Sequence, residues 1–157
     1  MNKNHSMRLG FLVLYGALSA CATLSGGREQ SFVCPYDTVW EATLETMKGY
    51  SVTSENKRDG TIETTWIEME GKKRPYGIFA REGFGNRERA RLTVVVKQDH
   101  HMSTVNVLET RQRWHARGGV SQQATRWWPV EPSEEVMEEV TGKLNAHLKE
   151  KGCETSP

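Results

Sequence analysis

The chain has 157 residues, and its 21 Lys and Arg residues against 20 Asp and Glu residues give a formal net charge of +1 at pH 7 with neutral His. This near-balance lacks the concentrated positive charge that nucleic-acid-binding proteins carry, so we expect no nucleic-acid partner. The length is that of one ordinary domain with one hydrophobic core.

The first twenty residues have the order of a secretory signal peptide. Lys3 and Arg8 make a basic start, residues 9–18 are apolar, and small residues follow them. The apolar stretch has about half of the roughly 20 residues that a membrane-spanning helix needs. We therefore predict a cleaved signal peptide at 1–20 rather than a retained transmembrane helix.

The residues around Cys21 resemble a bacterial lipobox, because Leu-Ser-Ala at 18–20 directly precedes the cysteine. A cysteine in that position receives diacylglycerol on its thiol and, after cleavage before it, an N-acyl chain such as palmitate. More than one lipid chain gives stable anchoring, since each buried methylene contributes about 0.8 kcal/mol. Ala22, where enterobacterial lipoproteins of the inner membrane have an acidic residue, favours the outer membrane. We predict a lipid-anchored protein of the cell envelope.

A short lipidated tether is predicted at 21–30, where small and polar residues include the pair Gly26 and Gly27. The single domain is then expected at 31–153. Cys34 and Cys153 lie near its two ends, in an oxidising compartment where paired thiols tend to form disulfides. Two arrangements fit: a disulfide between them, or two independent thiols.

The spacing of apolar residues predicts a helix near each end of the domain. The first, over 35–48, begins at Pro35, and the second, over 133–151, has Ser133 as its N-cap and glutamates in its first turn. Their apolar faces recur every three or four residues. The faces consist of Val39, Trp40, Thr43, Leu44 and Met47 in the first helix and Val136, Val140, Leu144 and Leu148 in the second.

A hairpin is predicted after the first helix. The turn signal Arg-Asp-Gly at 58–60 lies between extended segments at 50–53 and 61–66. With a strand period of two, Ile62, Thr64 and Trp66 share one face of the second segment.

A second, longer hairpin has the clearest strand pattern. In residues 87–97 a period of two places Ala90, Leu92, Val94 and Val96 on one face and mostly polar side chains on the other, and 104–113 returns as the partner strand. Residues 70–86 and 116–132 are predicted loops, the first with a short strand at 76–81. The order of helix, strands and helix predicts an α+β fold, with two helices on one face of an antiparallel sheet.

We predict no enzyme activity, no metal site and no cofactor other than the lipid on Cys21. His100 and His101 would face opposite sides of a strand, and no Cys, Asp or Glu cluster lies beside them at ligand spacing, so they fit a solvated turn. Cys34 has no sequence signal that marks a histidine as its base. The segment 83–85, Gly-Phe-Gly, is too short for a phosphate-binding loop.

Five arginines on the long hairpin are candidates for a basic patch that meets lipid headgroups or an acidic protein surface. They are Arg87, Arg89 and Arg91 on one strand and Arg111 and Arg113 on its partner. The alternative is a solvated sheet face that nearby glutamates neutralise. Those glutamates are Glu88 and Glu109.

The adjacent Trp127 and Trp128 are the second candidate interaction site. They lie in the predicted loop just before Pro129, and aromatic residues are enriched where proteins bind partners. We expect at least one of the two rings to be exposed.

Taken together, these features resemble the BamC-like outer-membrane lipoproteins of β-barrel assembly, and more broadly helix-grip domains. The resemblance covers most of the chain after Cys21: a helix containing Val39 and Trp40, then Gly-Tyr-Ser-Val at 49–52 and Asp-Gly-Thr-Ile at 59–62 leading into strands. It implies a helix-grip domain, of which this chain has room for one, and a partner in the barrel-assembly machinery.

The sequence therefore predicts a noncatalytic, lipid-anchored envelope protein that acts as a scaffold or accessory in a membrane complex. The alternative is a periplasmic ligand-binding module, since helix-grip folds can hold an apolar molecule between helix and sheet. In this chain such a cavity would be lined by Trp66, Phe79, Phe84 and Leu144.

Overall fold

The computed structural model describes residues 27–71, 75–76, 81–82, 87–115 and 126–156. The predicted signal peptide and the lipidation site Cys21 lie outside these residues. The elements, in chain order, are β1 (Gly27–Val33), α1 (Tyr36–Met47), β2 (Val52–Asn56), β3 (Thr61–Thr64), β4 (Ile67–Glu70), β5 (Pro75–Tyr76), β6 (Arg81–Glu82), β7 (Arg87–Asp99), β8 (Met102–His115), β9 (Arg126–Val130), α2 (Glu134–Glu150) and β10 (Glu154–Thr155).

Eight of the strands form one antiparallel sheet in the order β10-β1-β8-β7-β3-β2. The long hairpin of β7 and β8 is its centre. On the edge that faces away from the hairpin, each of these two strands pairs with two shorter strands, one after the other along its length. Those partners are β1 and β9 on β8, and β3 and β4 on β7. The sheet and the two helices confirm the predicted α+β class.

The hydrophobic core lies between the two helices and one face of the sheet. Alternate residues of β7 and β8 are buried against the helices, as strict period-two patterning requires. Fully burying each such side chain contributes about 1.5–3 kcal/mol. The cluster includes Val39 and Trp40 of α1, Val140 and Leu144 of α2, and Leu92, Val94, Val96, Val105 and Val107 of the sheet.

Cys34 and Cys153 are joined by a disulfide, with their Cα atoms 5.5 Å apart. Of the two arrangements that the sequence leaves open, the structure therefore has the bridge. Both cysteines are buried, at 8% and 7% exposure. The bond ties the junction of β1 and α1 to the segment that follows α2.

The predicted tether at 21–30 is wrong for residues 27–30, which belong to β1. They pair with Asn106, Val107 and Leu108 and neighbouring residues along the otherwise open edge of β8, where they satisfy its backbone groups. Arg28 also reaches α2, with Nη2 at 3.1 Å from Glu134 Oε2 and 2.8 Å from Glu138 Oε1. The folded domain thus includes 27–30, which the prediction assigns to the tether.

An extra residue lies between β3 and β4, and it changes which face Trp66 occupies. Ile62 is opposite Val94 and Ile67 is opposite Ala90, so four residues lie against three, which is a β-bulge. The backbone N–H of Leu92 donates to Thr64 Oγ1 at 2.9 Å inside the bulge. The prediction that Trp66 shares a face with Ile62 and Thr64 is therefore wrong, because the bulge shifts the alternation by one residue.

Two predicted loops contain strands. Trp127 and Trp128 lie in β9, because β8 continues to His115 and its edge beyond β1 needs a hydrogen-bonding partner. The prediction of one short strand at 76–81 is wrong, because Tyr76 of β5 and Arg81 of β6 are antiparallel partners.

Candidate functional site

The candidate site lies on the face of the sheet opposite the helices, which we call the open face. In β7, residues 88, 90, 92, 94 and 96 are buried beneath the helices, while the residues between them are partly exposed on the other side. Within the described ranges neither helix packs on that side, since both belong to the core cluster.

Arg89 is at the centre of an aromatic cluster on the open face. Its guanidinium carbon lies 4.4 Å from the ring centroid of Trp66 and 4.4 Å from that of Trp127, so the cation is between two indole rings. Its Nε and Nη2 donate to Gln112 Oε1 at 2.9 and 2.7 Å. Each cation–π contact contributes about 1 kcal/mol at a partly exposed position.

Three further side chains complete this cluster. The ring of Trp114 meets that of Trp127 edge to face, with centroids 5.3 Å apart and an interplanar angle of 62°. Arg87 lies 5.9 Å from the centroid of Trp127, and Arg91 lies 5.1 Å from that of Trp66. We call the set the tryptophan–arginine cluster: Trp66, Arg87, Arg89, Arg91, Trp114 and Trp127.

The cluster carries positive charge that its own strands only partly neutralise. Arg87 forms a salt bridge with Glu68 on β4. Among the described residues, Arg89 and Arg91 form no salt bridge, and Nε of Arg91 is buried without a hydrogen-bond partner. Two cations on this surface are therefore available to an anionic partner.

Arg111 and Arg113 do not belong to this surface. The predicted patch of five arginines is therefore wrong for these two residues. They are opposite Ala90 and Glu88 and therefore share the helix-covered face with them. Arg111 donates to Glu88 Oε2 at 3.1 Å and to both oxygens of Glu109, and Arg113 Nε donates to Glu88 Oε1 at 2.9 Å. We call these four residues the buried ion cluster.

The buried ion cluster keeps its charges and holds the start of α2. Burial raises the pKa of Glu88, but hydrogen bonds from Arg113 and Arg111 outweigh burial, so its pKa lies below the ordinary value. A hydrogen bond to Glu109 raises the pKa of Arg111. Glu109 also accepts from the backbone N–H of Ser133, the N-cap of α2.

Trp128 faces away from the open face although it is adjacent to Trp127. It is opposite Arg113, on the helix side of the sheet, and the guanidinium carbon of Arg126 lies 3.7 Å from its ring centroid. Successive residues of a strand face opposite sides. Only Trp127 of the predicted pair joins the cluster, together with Trp66 and Trp114, whose contacts no local sequence pattern predicts.

His100 and His101 form the two-residue turn between β7 and β8. Both are exposed, His100 has φ 53°, and its Nδ1 lies 2.6 Å from Asp99 Oδ1. In the part of the chain that the structure describes, no group of three His, Cys, Asp or Glu residues could hold a metal ion.

The lining predicted for an apolar ligand cavity is divided between the two faces of the sheet. Leu144 is 1% exposed within the core, whereas Trp66 lies on the open face against Arg89. Phe79 and Phe84 lie outside the described residues. Of the predicted lining, the two described residues, Trp66 and Leu144, therefore do not line a common cavity.

No protein-family model matches this chain, and no curated protein does. Across the described residues, neither helix is long and apolar enough to cross a membrane.

Proposed function

We propose that this protein is a noncatalytic, lipid-anchored protein of the cell envelope, most simply of the outer membrane, that acts as a scaffold or accessory in a membrane complex. The resemblance to BamC-like lipoproteins makes the β-barrel assembly machinery the first complex to examine. The lipobox at Cys21 supports the anchor, and the open face of the sheet supports the docking role.

The open face carries this proposal, since a scaffold needs a broad surface that its own fold leaves available. Its centre combines partly exposed apolar and polar side chains, a mixture typical of the cores and rims of protein interfaces. These side chains are Thr93 and Val95 on β7 and Asn106 and Leu108 on β8.

The buried carboxylate Glu88 does not have the properties of a general acid. A catalytic general acid near neutral pH needs a raised pKa, as burial alone would give. Arg111 and Arg113 instead lower the pKa of Glu88 and occupy its oxygens. This carboxylate therefore supports the fold rather than proton transfer.

The test is a crosslinked pull-down of the tagged protein from native membranes. Thr93→Lys places a charge at the centre of the open face and should abolish recovery of the partner, while Thr38→Lys makes the same change on α1 and should keep it. Cys21→Ala should lose both the anchor and the partner. Equal recovery with Thr93→Lys and Thr38→Lys would contradict docking on the open face.

A further inference from the structure

We propose that the tryptophan–arginine cluster rests on the headgroup layer of an anionic bilayer, so that this end of the sheet faces the membrane. The inference rests on the proposed lipid anchor and deepens it, because it assigns one end of the domain to the lipid surface. The centre of the open face then stays available to a protein partner.

The residue types of the cluster suit a bilayer interface. Indole rings are amphipathic and are enriched where hydrocarbon meets headgroups. A guanidinium binds phosphate through a planar fork of donors while its carbon face stacks on an aromatic ring. Arg89 already stacks between Trp66 and Trp127, and Arg91 has no carboxylate partner among the described residues.

The position of β1 brings the anchor to this end of the sheet. Gly27 is opposite Leu108, and β1 runs so that its first residue points toward the end of β8 that carries Trp114. Gly27 is six positions after Cys21 in the chain, a stretch that spans at most about 20 Å. Trp114 is six positions after Leu108 along β8, also a distance of about 20 Å. An anchored Cys21 can therefore lie level with the cluster.

Charge at this end of the sheet favours an anionic lipid layer. Among the described residues at this end of the open face, Glu68 pairs with Arg87, and Arg89 and Arg91 form no salt bridge. Basic residues beside an anionic membrane surface each contribute about 1 kcal/mol to binding.

The first experiment measures contact in the anchored protein. The full lipidated chain is reconstituted in vesicles of phosphatidylcholine and phosphatidylglycerol, with or without a lipid that carries a spin label on its headgroup. We expect the label to quench tryptophan fluorescence. Trp127→Phe should reduce the quenched component, whereas the adjacent Trp128→Phe, on the other face of β9, should leave it unchanged.

The second experiment measures the electrostatic contribution to vesicle binding in a chain without the lipid anchor. The mature chain with Cys21→Ala is titrated with the same vesicles and with vesicles of phosphatidylcholine alone. Arg91→Gln should weaken binding to the anionic vesicles roughly fivefold, the equivalent of about 1 kcal/mol. Arg58→Gln removes the same charge from the exposed turn between β2 and β3 and should leave binding unchanged.

The two experiments distinguish failure of this membrane-contact inference from failure of the proposed lipid anchor. If the mass of the purified protein shows no lipid on Cys21, the proposed function fails, and vesicle binding by the unanchored chain still reports on the cluster. With the lipid present, equal quenching of Trp127→Phe and Trp128→Phe, or equal binding of Arg91→Gln and Arg58→Gln, overturns the inference. Loss of a crosslinked acidic protein in Arg91→Gln, with vesicle binding intact, would assign the cluster to that protein instead.

Discussion

Glu88 is a buried carboxylate on the helix-covered side of the sheet, where it pairs with Arg111 and Arg113. Its side chain is 5% exposed, and that of Arg113 is 18% exposed, so water screens their interaction little. Removing one partner of a buried ion pair leaves the other charge uncompensated, which costs more than the pair itself contributes.

Glu88→Gln should therefore lower the free energy of unfolding by about 3 kcal/mol at neutral pH. Since the folded-state pKa of Glu88 is lowered, its contribution is present above the unfolded pKa of about 4.3 and is lost as the pH falls through the folded value. Urea unfolding of both proteins at a series of pH values tests this. The difference should shrink in acid, and Glu55→Gln on the exposed strand β2 should show little difference at any pH.

Thr64 satisfies a backbone donor that the β-bulge would leave without a partner. Thr64→Val keeps the shape of the side chain but leaves the buried N–H of Leu92 unpaired, which should cost about 1–3 kcal/mol. The buried Thr43 is the matched control, because Thr43→Val removes a hydroxyl that donates to a helix carbonyl already bonded within α1. A similar loss of stability for the two variants would show that the bulge hydroxyl has no special role.

The turn between β2 and β3 depends on a glycine. Gly60 has φ +67°, and a Cβ atom there would lie 2.0 Å from the backbone oxygen of Val96. The same close approach brings the N–H of Val96 to the carbonyl of Gly60 at 2.7 Å. A side chain at this position must displace backbone of the central strand β7.

Gly60→Ala should accordingly lower the free energy of unfolding by about 2 kcal/mol, from left-handed strain and the clash together. Gly49→Ala is the control at the end of α1, where a Cβ atom meets nothing within 4 Å. Thermal unfolding of the two variants should separate them clearly. A stable Gly60→Ala protein would mean that the turn can adopt another conformation.

Sequence patterns predict the helices and strands of this fold better than they predict which face of the sheet each side chain occupies. The alternation from Arg87 to Lys97 and the helix spacing around Leu144 depend on local periodicity, so both predictions are confirmed. The face of Trp66 depends on a bulge that no local pattern marks. Whether Arg111 joins Arg89 depends on the pairing register of β8 with β7, in which Ala90 is opposite Arg111 and Arg89 is opposite Gln112.

For the candidate site, the sequence identifies Arg87, Arg89, Arg91 and Trp127 but not their arrangement. The two rings that enclose Arg89 come from Trp66 and Trp127, which are far apart in the chain and meet only because β4 and β9 pair with opposite edges of the central hairpin. That meeting is a property of the sheet topology.

At the scale of the whole molecule, the disulfide between Cys34 and Cys153 closes a loop that contains nearly the whole domain, at a sequence separation of 119. A loop of that size restricts the unfolded chain strongly, and the chain-entropy model assigns about 4–5 kcal/mol to it.

Reduction should therefore lower the free energy of unfolding by about 4 kcal/mol, measured by urea unfolding with and without dithiothreitol. The double variant Cys34→Ala and Cys153→Ala should match the reduced protein and should not respond to the reductant. Unchanged stability on confirmed reduction would show that packing of β10 against β1 alone holds the two ends together.

The direction of β1 also determines how the domain responds to mechanical force. Six residue pairs hold β1 on the edge of β8, from Gly27 opposite Leu108 to Phe32 opposite Ser103. Tension applied before Gly27 acts along the strand, so these hydrogen bonds are loaded in shear, all at once, rather than unzipped in turn. If β1 slips, the load passes through the disulfide at Cys34 to the segment after α2. A membrane that pulls on the tether would thus load one strand first and one covalent bond after it.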